Sequence, residues 1–64
     1  MIRVATSNEF LLGLTERGEA YLVIHARPGR RGAEVRKRSF YVKRPNGVRL
    51  GAETGAAALR AIGL

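Results

Sequence analysis

The sequence predicts an α+β fold, an antiparallel sheet of about four strands arranged as two hairpins, followed by one short C-terminal helix. Three observations carry this reading. Apolar residues alternate along Glu9 to Arg27 on both sides of a turn signal at Glu16-Arg17-Gly18, and a second turn signal, Pro45-Asn46-Gly47, separates two further extended runs. The end, GAETGAAALRAIGL, is alanine-rich and places Ala58, Leu59 and Ile62 at helical spacing. Strands followed by a helix pack as two layers around one core.

The chain has 64 residues, which is one small domain, 1–64, without internal repeats or low-complexity tracts. A chain of this size buries only about 60% of its unfolded surface, so a self-partner that covers more apolar area is expected. There is no cysteine, and therefore no disulfide framework and no thiolate metal site. No apolar run approaches the roughly 20 residues of a membrane span, and MIRVATSNEF lacks the apolar middle of a signal peptide, so a cytoplasmic protein is expected. The formal net charge is +7 and there is no aspartate, a balance that attracts anions and is silent about fold.

In chain order, Ile2 and Val4 permit a short strand before the polar break Thr6-Ser7-Asn8. The segment EFLLGLTERGEAYLVIHAR then reads as a hairpin. A three-residue loop closed by Gly18 in a left-handed conformation puts Thr15 across from Glu19, Leu14 from Ala20, Leu12 from Leu22 and Phe10 from Ile24. The core face would be Phe10, Leu12, Leu14, Ala20, Leu22, Ile24 and Ala26. On the opposite face Glu9 meets His25, Leu11 meets Val23 and Gly13 meets Tyr21. Leu11, Tyr21 and Val23 form an apolar patch there, either a partner contact or a surface that the N-terminal strand or a loop covers.

Arg27 to Ala33, RPGRRGA, reads as a mobile basic loop outside any ladder, because proline removes a donor and glycines favour turns. Glu34 to Lys43 returns to a strand. At Pro45-Asn46-Gly47 a two-residue loop would need an amide that Pro45 does not have, so three loop residues are expected, with Lys43 across from Arg49 and Val42 from Leu50. Phe40, Val42, Val48 and Leu50 then point inward, and Lys37, Tyr41, Lys43 and Arg49 outward around Ser39. Arg36 and Arg38 share the inward parity, so either the strand starts beyond the edge of the core or a bulge near Ser39 re-aims them. The helix is capped by Thr54, or begins earlier at Gly51, and ends at Gly63.

Charge singles out one stretch for function. Eight of the twelve basic residues (Arg27, Arg30, Arg31, Arg36, Lys37, Arg38, Lys43, Arg44) lie between Arg27 and Arg44, opposed there by Glu34 alone, and they bracket Phe40-Tyr41. A cationic ribbon with an aromatic set into it neutralises phosphates and offers a ring on which a base stacks. A solvated face kept basic for solubility is the plainer account of the same residues. The expected nucleic-acid contacts are Arg30, Arg31, Arg36, Lys37, Arg38, Tyr41, Lys43 and Arg49, with single-stranded DNA or RNA the favoured ligand. His25 is the only histidine and no carboxylate pair, metal-ligand spacing or phosphate-cradling glycine loop appears, so neither catalysis, a cofactor nor a metal is expected.

A strand EAYLVIHAR, a loop containing PGRRG, and a last strand that leads through VRLGAETGAAALRAI into a helix resemble the layout of the single-strand-binding modules of the positive cofactor four family, and more distantly the Pur-alpha and Whirly repeats. The resemblance implies a basic sheet that binds single-stranded DNA, through Arg30, Arg31, Lys37, Tyr41, Lys43 and Arg49, and a homodimer formed by the helix through Ala58, Leu59 and Ile62. The family usually has a tryptophan early in that helix, where this chain has Gly55 and alanines. The alternative function is a small accessory or inhibitor protein of the phage type that binds an acidic or nucleic-acid-binding partner protein through Leu11, Tyr21 and Val23 or through the basic strand.

Overall fold

The computed structural model describes residues 6–64, and the strand expected around Ile2 and Val4 lies outside them. Four strands, β1 (Thr6–Thr15), β2 (Gly18–Pro28), β3 (Glu34–Lys43) and β4 (Arg49–Ala52), form one antiparallel open sheet in the order β1-β2-β3-β4, and the helix α1 (Gly55–Ala61) follows. Each strand pairs with the next in the chain, so the β2-β3 connection is also a hairpin, beside the two expected.

The β3-β4 hairpin has the anticipated register. Lys43 opposes Arg49 and Val42 opposes Leu50. The Arg44 amide donates to the Val48 carbonyl at 2.8 Å, and the Gly47 amide to that of Arg44 at 2.9 Å. Gly47 takes the left-handed φ of +89°, and the Asn46 side chain accepts from the Val48 amide at 3.0 Å.

The β1-β2 hairpin differs from expectation. Gly18 has a positive φ of +143°, yet it opposes Thr15 directly, which leaves a two-residue turn of Glu16 and Arg17. Its missing side chain serves a close approach, because a Cβ on Gly18 would stand 2.5 Å from the Lys43 carbonyl oxygen. A bulge between Leu11 and Gly13 then shifts the register again, so that Phe10 opposes Leu22, Leu11 opposes Tyr21, Glu9 opposes Val23 and Ser7 opposes His25. The bulge sets Gly13 beneath α1, where a Cβ would lie 2.8 Å from Leu64 Cδ1 and 2.9 Å from Leu59 Cδ2. Leu14, expected in the core, opposes Glu19 on the other face and is exposed, as are Phe10 and Leu12.

The RPGRRGA segment contributes to the ladder after all. Arg27 opposes Val35 and Pro28 opposes Glu34, the last pair before the tip, where a missing amide costs one bond at most. The tip is a 3-10 turn over Arg30–Gly32, with the Ala33 amide donating to Arg30 at 3.1 Å and positive φ at Arg31 (+58°) and Gly32 (+76°).

Thr54 is the helix cap, its hydroxyl accepting from the Ala57 amide at 3.0 Å, while Gly51 belongs to β4. Gly63, at φ +88°, ends α1 in a Schellman arrangement, with the Leu64 amide donating to Leu59 at 2.9 Å and the Gly63 amide to Arg60 at 3.0 Å. The Thr15 hydroxyl donates to the Ile62 carbonyl at 2.6 Å and ties this end to the first hairpin.

Ala20, Val42, Ala58 and Ile62 form the buried core, with Phe40, Ala52 and Leu59 packed against it. It occupies one end of one face. α1 has seven residues and is about 10 Å long, whereas the eleven of β2 span roughly 36 Å. The helix therefore cannot cover the far half of the sheet. The β2-β3 ladder runs unshifted from Glu19-Lys43 to Pro28-Glu34, without a bulge near Ser39, so Arg36 and Arg38 sit on the helix side of a strand that extends past the core edge. Val48 and Leu50, expected inward, are exposed at the margin formed by the four-residue β4.

Candidate nucleic-acid interface

Because Ala20 and Val42 turn toward α1, the neighbouring odd-numbered residues of β2 and β3 turn away from it. Their side chains form the helix-free face: Glu19, Tyr21, Val23, His25 and Arg27 from β2, then Val35, Lys37, Ser39, Tyr41 and Lys43 from β3. Glu9, Leu11 and Leu14 join from β1 and Arg49 from β4.

The centre of this face is a row of stacked groups. Tyr21 and Tyr41 are directly opposed across the β2-β3 pair, their ring centroids 5.0 Å apart and their planes 18° apart. On the β4 side, the Arg49 guanidinium carbon lies 5.3 Å from the Tyr41 centroid. Strand order places Tyr21 and Arg49 on opposite sides of Tyr41. The residue directly across from Tyr41 on β4 is Gly51, where a Cβ would meet nothing within 4 Å. The flank of Tyr41 that faces β4 is thus an open slot with Arg49 folded over it.

Carboxylates tune this row. The Tyr21 hydroxyl donates to Glu19 Oε2, and that bond pushes the phenol up to about 12. Tyr41 is also raised, chiefly by burial and then by the Glu9 carboxylate. Both rings therefore remain neutral hydrogen-bond donors at physiological pH. Further along, His25 bridges three strands, with Nδ1 2.8 Å from Ser7 Oγ and Nε2 3.2 Å from Ser39 Oγ. The expected Glu9-His25 pair is replaced by this bridge.

Of the anticipated contacts, Lys37, Tyr41, Lys43 and Arg49 share the helix-free face. Arg36 and Arg38 lie on the opposite face, and Arg36 Nε donates to Glu34 Oε1 at 2.8 Å in an exposed ion pair. Arg30 and Arg31 stand at the hairpin tip, roughly 30 Å along β3 from Lys43. The eight residues thus form a strip on one face, a tip, and a pair behind them. In the apolar patch, Leu11 and Tyr21 are neighbours, whereas Val23 is buried at 7% exposure and leaves the contact surface.

Sequence reasoning did not bring Tyr21 to Tyr41, nor single out Gly51 or Glu19. The signal was present: a hairpin centred on Arg31 brings residues 21 and 41 opposite each other, and only the reading of RPGRRGA as an unpaired loop hid it. Among the described residues no group of three His, Asp or Glu side chains is placed to hold a metal ion, and no helix is long and apolar enough to cross a membrane. The chain matches no protein-family model, no curated protein and no solved structure.

Proposed function

We propose that this chain is a nucleic-acid-binding module that takes a single strand on its helix-free face. The observation that carries the reading is the Tyr21-Tyr41-Arg49 stack beside the empty position at Gly51. An unpaired base has two open faces, and a base entering over Gly51 stacks on Tyr41 in the place where Arg49 now lies. Arg49, once displaced, is free to meet the adjoining phosphate or to close over the base. Lys43 and Lys37, on the same face, take phosphates on either side, and Arg30 and Arg31 extend the cationic track to the tip. Duplex bases, already stacked on each other, cannot enter the slot. The resemblance in layout to single-strand-binding modules, read from the sequence, points the same way.

Four cations on this face (Arg27, Lys37, Lys43, Arg49) are opposed by Glu9 and Glu19, and that balance limits nonspecific attraction. It also supports a second reading. Exposed Leu11 and Leu14 beside two carboxylates fit an accessory protein that binds a partner protein. The deciding experiment is a binding panel of single-stranded DNA, duplex DNA and RNA at several salt concentrations, beside a pull-down. Preference for single strands supports the first reading. Equal binding to all three, with capture of one protein partner, supports the second.

A further inference from the structure

We infer that β1 is a self-pairing edge through which two copies of the chain join their sheets. β1 is an outer strand of the described sheet and is ten residues long, and one side of its backbone faces no other strand among the described residues. A long edge of this kind is a template for another strand unless charge, proline, shortness or a bulge blunts it. β4, the opposite edge, is blunted, having four residues and a cation, Arg49. β1 has a bulge only at Leu12, which leaves the straight run Thr6 to Leu11 free to pair.

Two properties of β1 select a second copy as the occupant. The first is apolar surface. Phe10 and Leu11, inside the run that pairs, are 49 and 54% exposed, and the core among the described residues is four small to medium side chains, so the chain gains correspondingly from covering them. The second is charge. Copies of net charge +7 repel each other, yet β1 contains no lysine or arginine and one glutamate, so it is the strand along which they approach with least opposition. Antiparallel β1-β1 pairing about a two-fold axis normal to the sheet is self-complementary. It produces one eight-stranded sheet with both helices on one side and both Tyr21-Tyr41-Arg49 rows on the other.

The inference is independent of what the open face binds. It is tested by sedimentation from low to high micromolar concentration in moderate salt, with amide hydrogen exchange on the same samples. The expected result is a dimer in which protection of the amides of residues 6–11 rises with concentration. Leu11→Lys, at an exposed position, places a charge in each half of the edge and is expected to weaken the dimer by at least about tenfold. Leu50→Lys, on the β4 margin, is expected to leave it intact. The inference is overturned by a monomer throughout, by β1 protection that does not change with concentration, or by a dimer that tolerates Leu11→Lys. Protection of β1 that appears only when another protein is added, the chain alone remaining monomeric, overturns it as well.

Discussion

Tyr21 lies face to face with Tyr41 across the β2-β3 pair, at 5.0 Å between ring centroids, and the hydroxyl of Tyr21 is held by the Glu19 carboxylate. The two rings are made neighbours by a hairpin that is entered through the paired residues Arg27 and Pro28 and whose tip contains two glycines and two arginines. The same pair joins the stability of the sheet to the chemistry of its open face, and each role makes a separate prediction.

The first concerns pH. Tyr21 titrates near 12 in the folded chain, against an ordinary value of 10.0. The native state therefore keeps a proton that the unfolded chain has released. That contribution is fully present below about pH 10 and is lost as pH rises toward about 12. Stability measured by denaturant titration is expected to fall across this window, and tyrosinate absorbance to show both phenols titrating above the ordinary value, that of Tyr21 at about 12. Glu19→Gln removes the carboxylate, so it should bring that phenol down and flatten the fall. A Tyr21 phenol unchanged by Glu19→Gln would refute the assignment.

The second concerns Gly18. A Cβ there meets the Lys43 carbonyl oxygen at 2.5 Å and is strained at φ +143°. Gly18→Ala is expected to lower stability by about 1–3 kcal/mol with an unchanged denaturant slope. Gly51→Ala, into open space, is the control and should be neutral or stabilising by up to about 1 kcal/mol. Equal effects at the two positions would remove the close approach as the reason for Gly18.

How much of this was readable beforehand varies element by element. The β3-β4 register follows from Pro45, whose missing amide excludes the shorter loop, and the helix follows from Thr54, Gly63 and the apolar spacing between them. These signals are local. The bulge at Leu12 is not, since it exists to place Gly13 under Leu59 and Leu64, a contact between residues about fifty apart in the chain. The alternation of Phe10, Leu12 and Leu14 is real, but the bulge turns Leu14 to the face away from α1, and the seven-residue helix leaves Phe10 half exposed. In the candidate site, Lys37, Tyr41, Lys43 and Arg49 could be grouped because one strand pair and one turn determine them. Tyr21 belongs with them only when the β2-β3 connection is read as a hairpin centred on Arg31, and Pro28 and Gly29 look instead like the end of a strand.

A third prediction addresses the slot. Gly51→Val keeps β4 extended and every charge in place, but it fills the space beside Tyr41. Affinity for a single strand is expected to fall severalfold with an unchanged salt dependence, while binding to duplex stays the same. Unaltered single-strand affinity in a folded Gly51→Val protein would mean that no base uses that position.

The last prediction separates stacking from charge on the proposed surface. If about four to six phosphates are neutralised, log affinity for a single strand should fall against log salt with a slope of about −3 to −4. Lys43→Gln or Lys37→Gln removes one counterion-releasing contact, so each should make the slope shallower by about 0.7. Tyr41→Ala removes a ring that releases no counterions. It is expected to weaken binding by about 1–3 kcal/mol and to leave the slope where it was. Arg49→Gln should do some of both, since its guanidinium now caps Tyr41 and is freed toward phosphate when a base takes its place. Arg36→Gln should change little, because Arg36 lies on the opposite face and is already paired with Glu34 at 2.8 Å. If Tyr41→Ala is without effect, and the lysine and Arg36 variants lower single-strand and duplex binding alike, then the positive charge acts only as a diffuse attraction. The open face would then be a surface for a partner protein, with Leu11 and Leu14 as its apolar contacts.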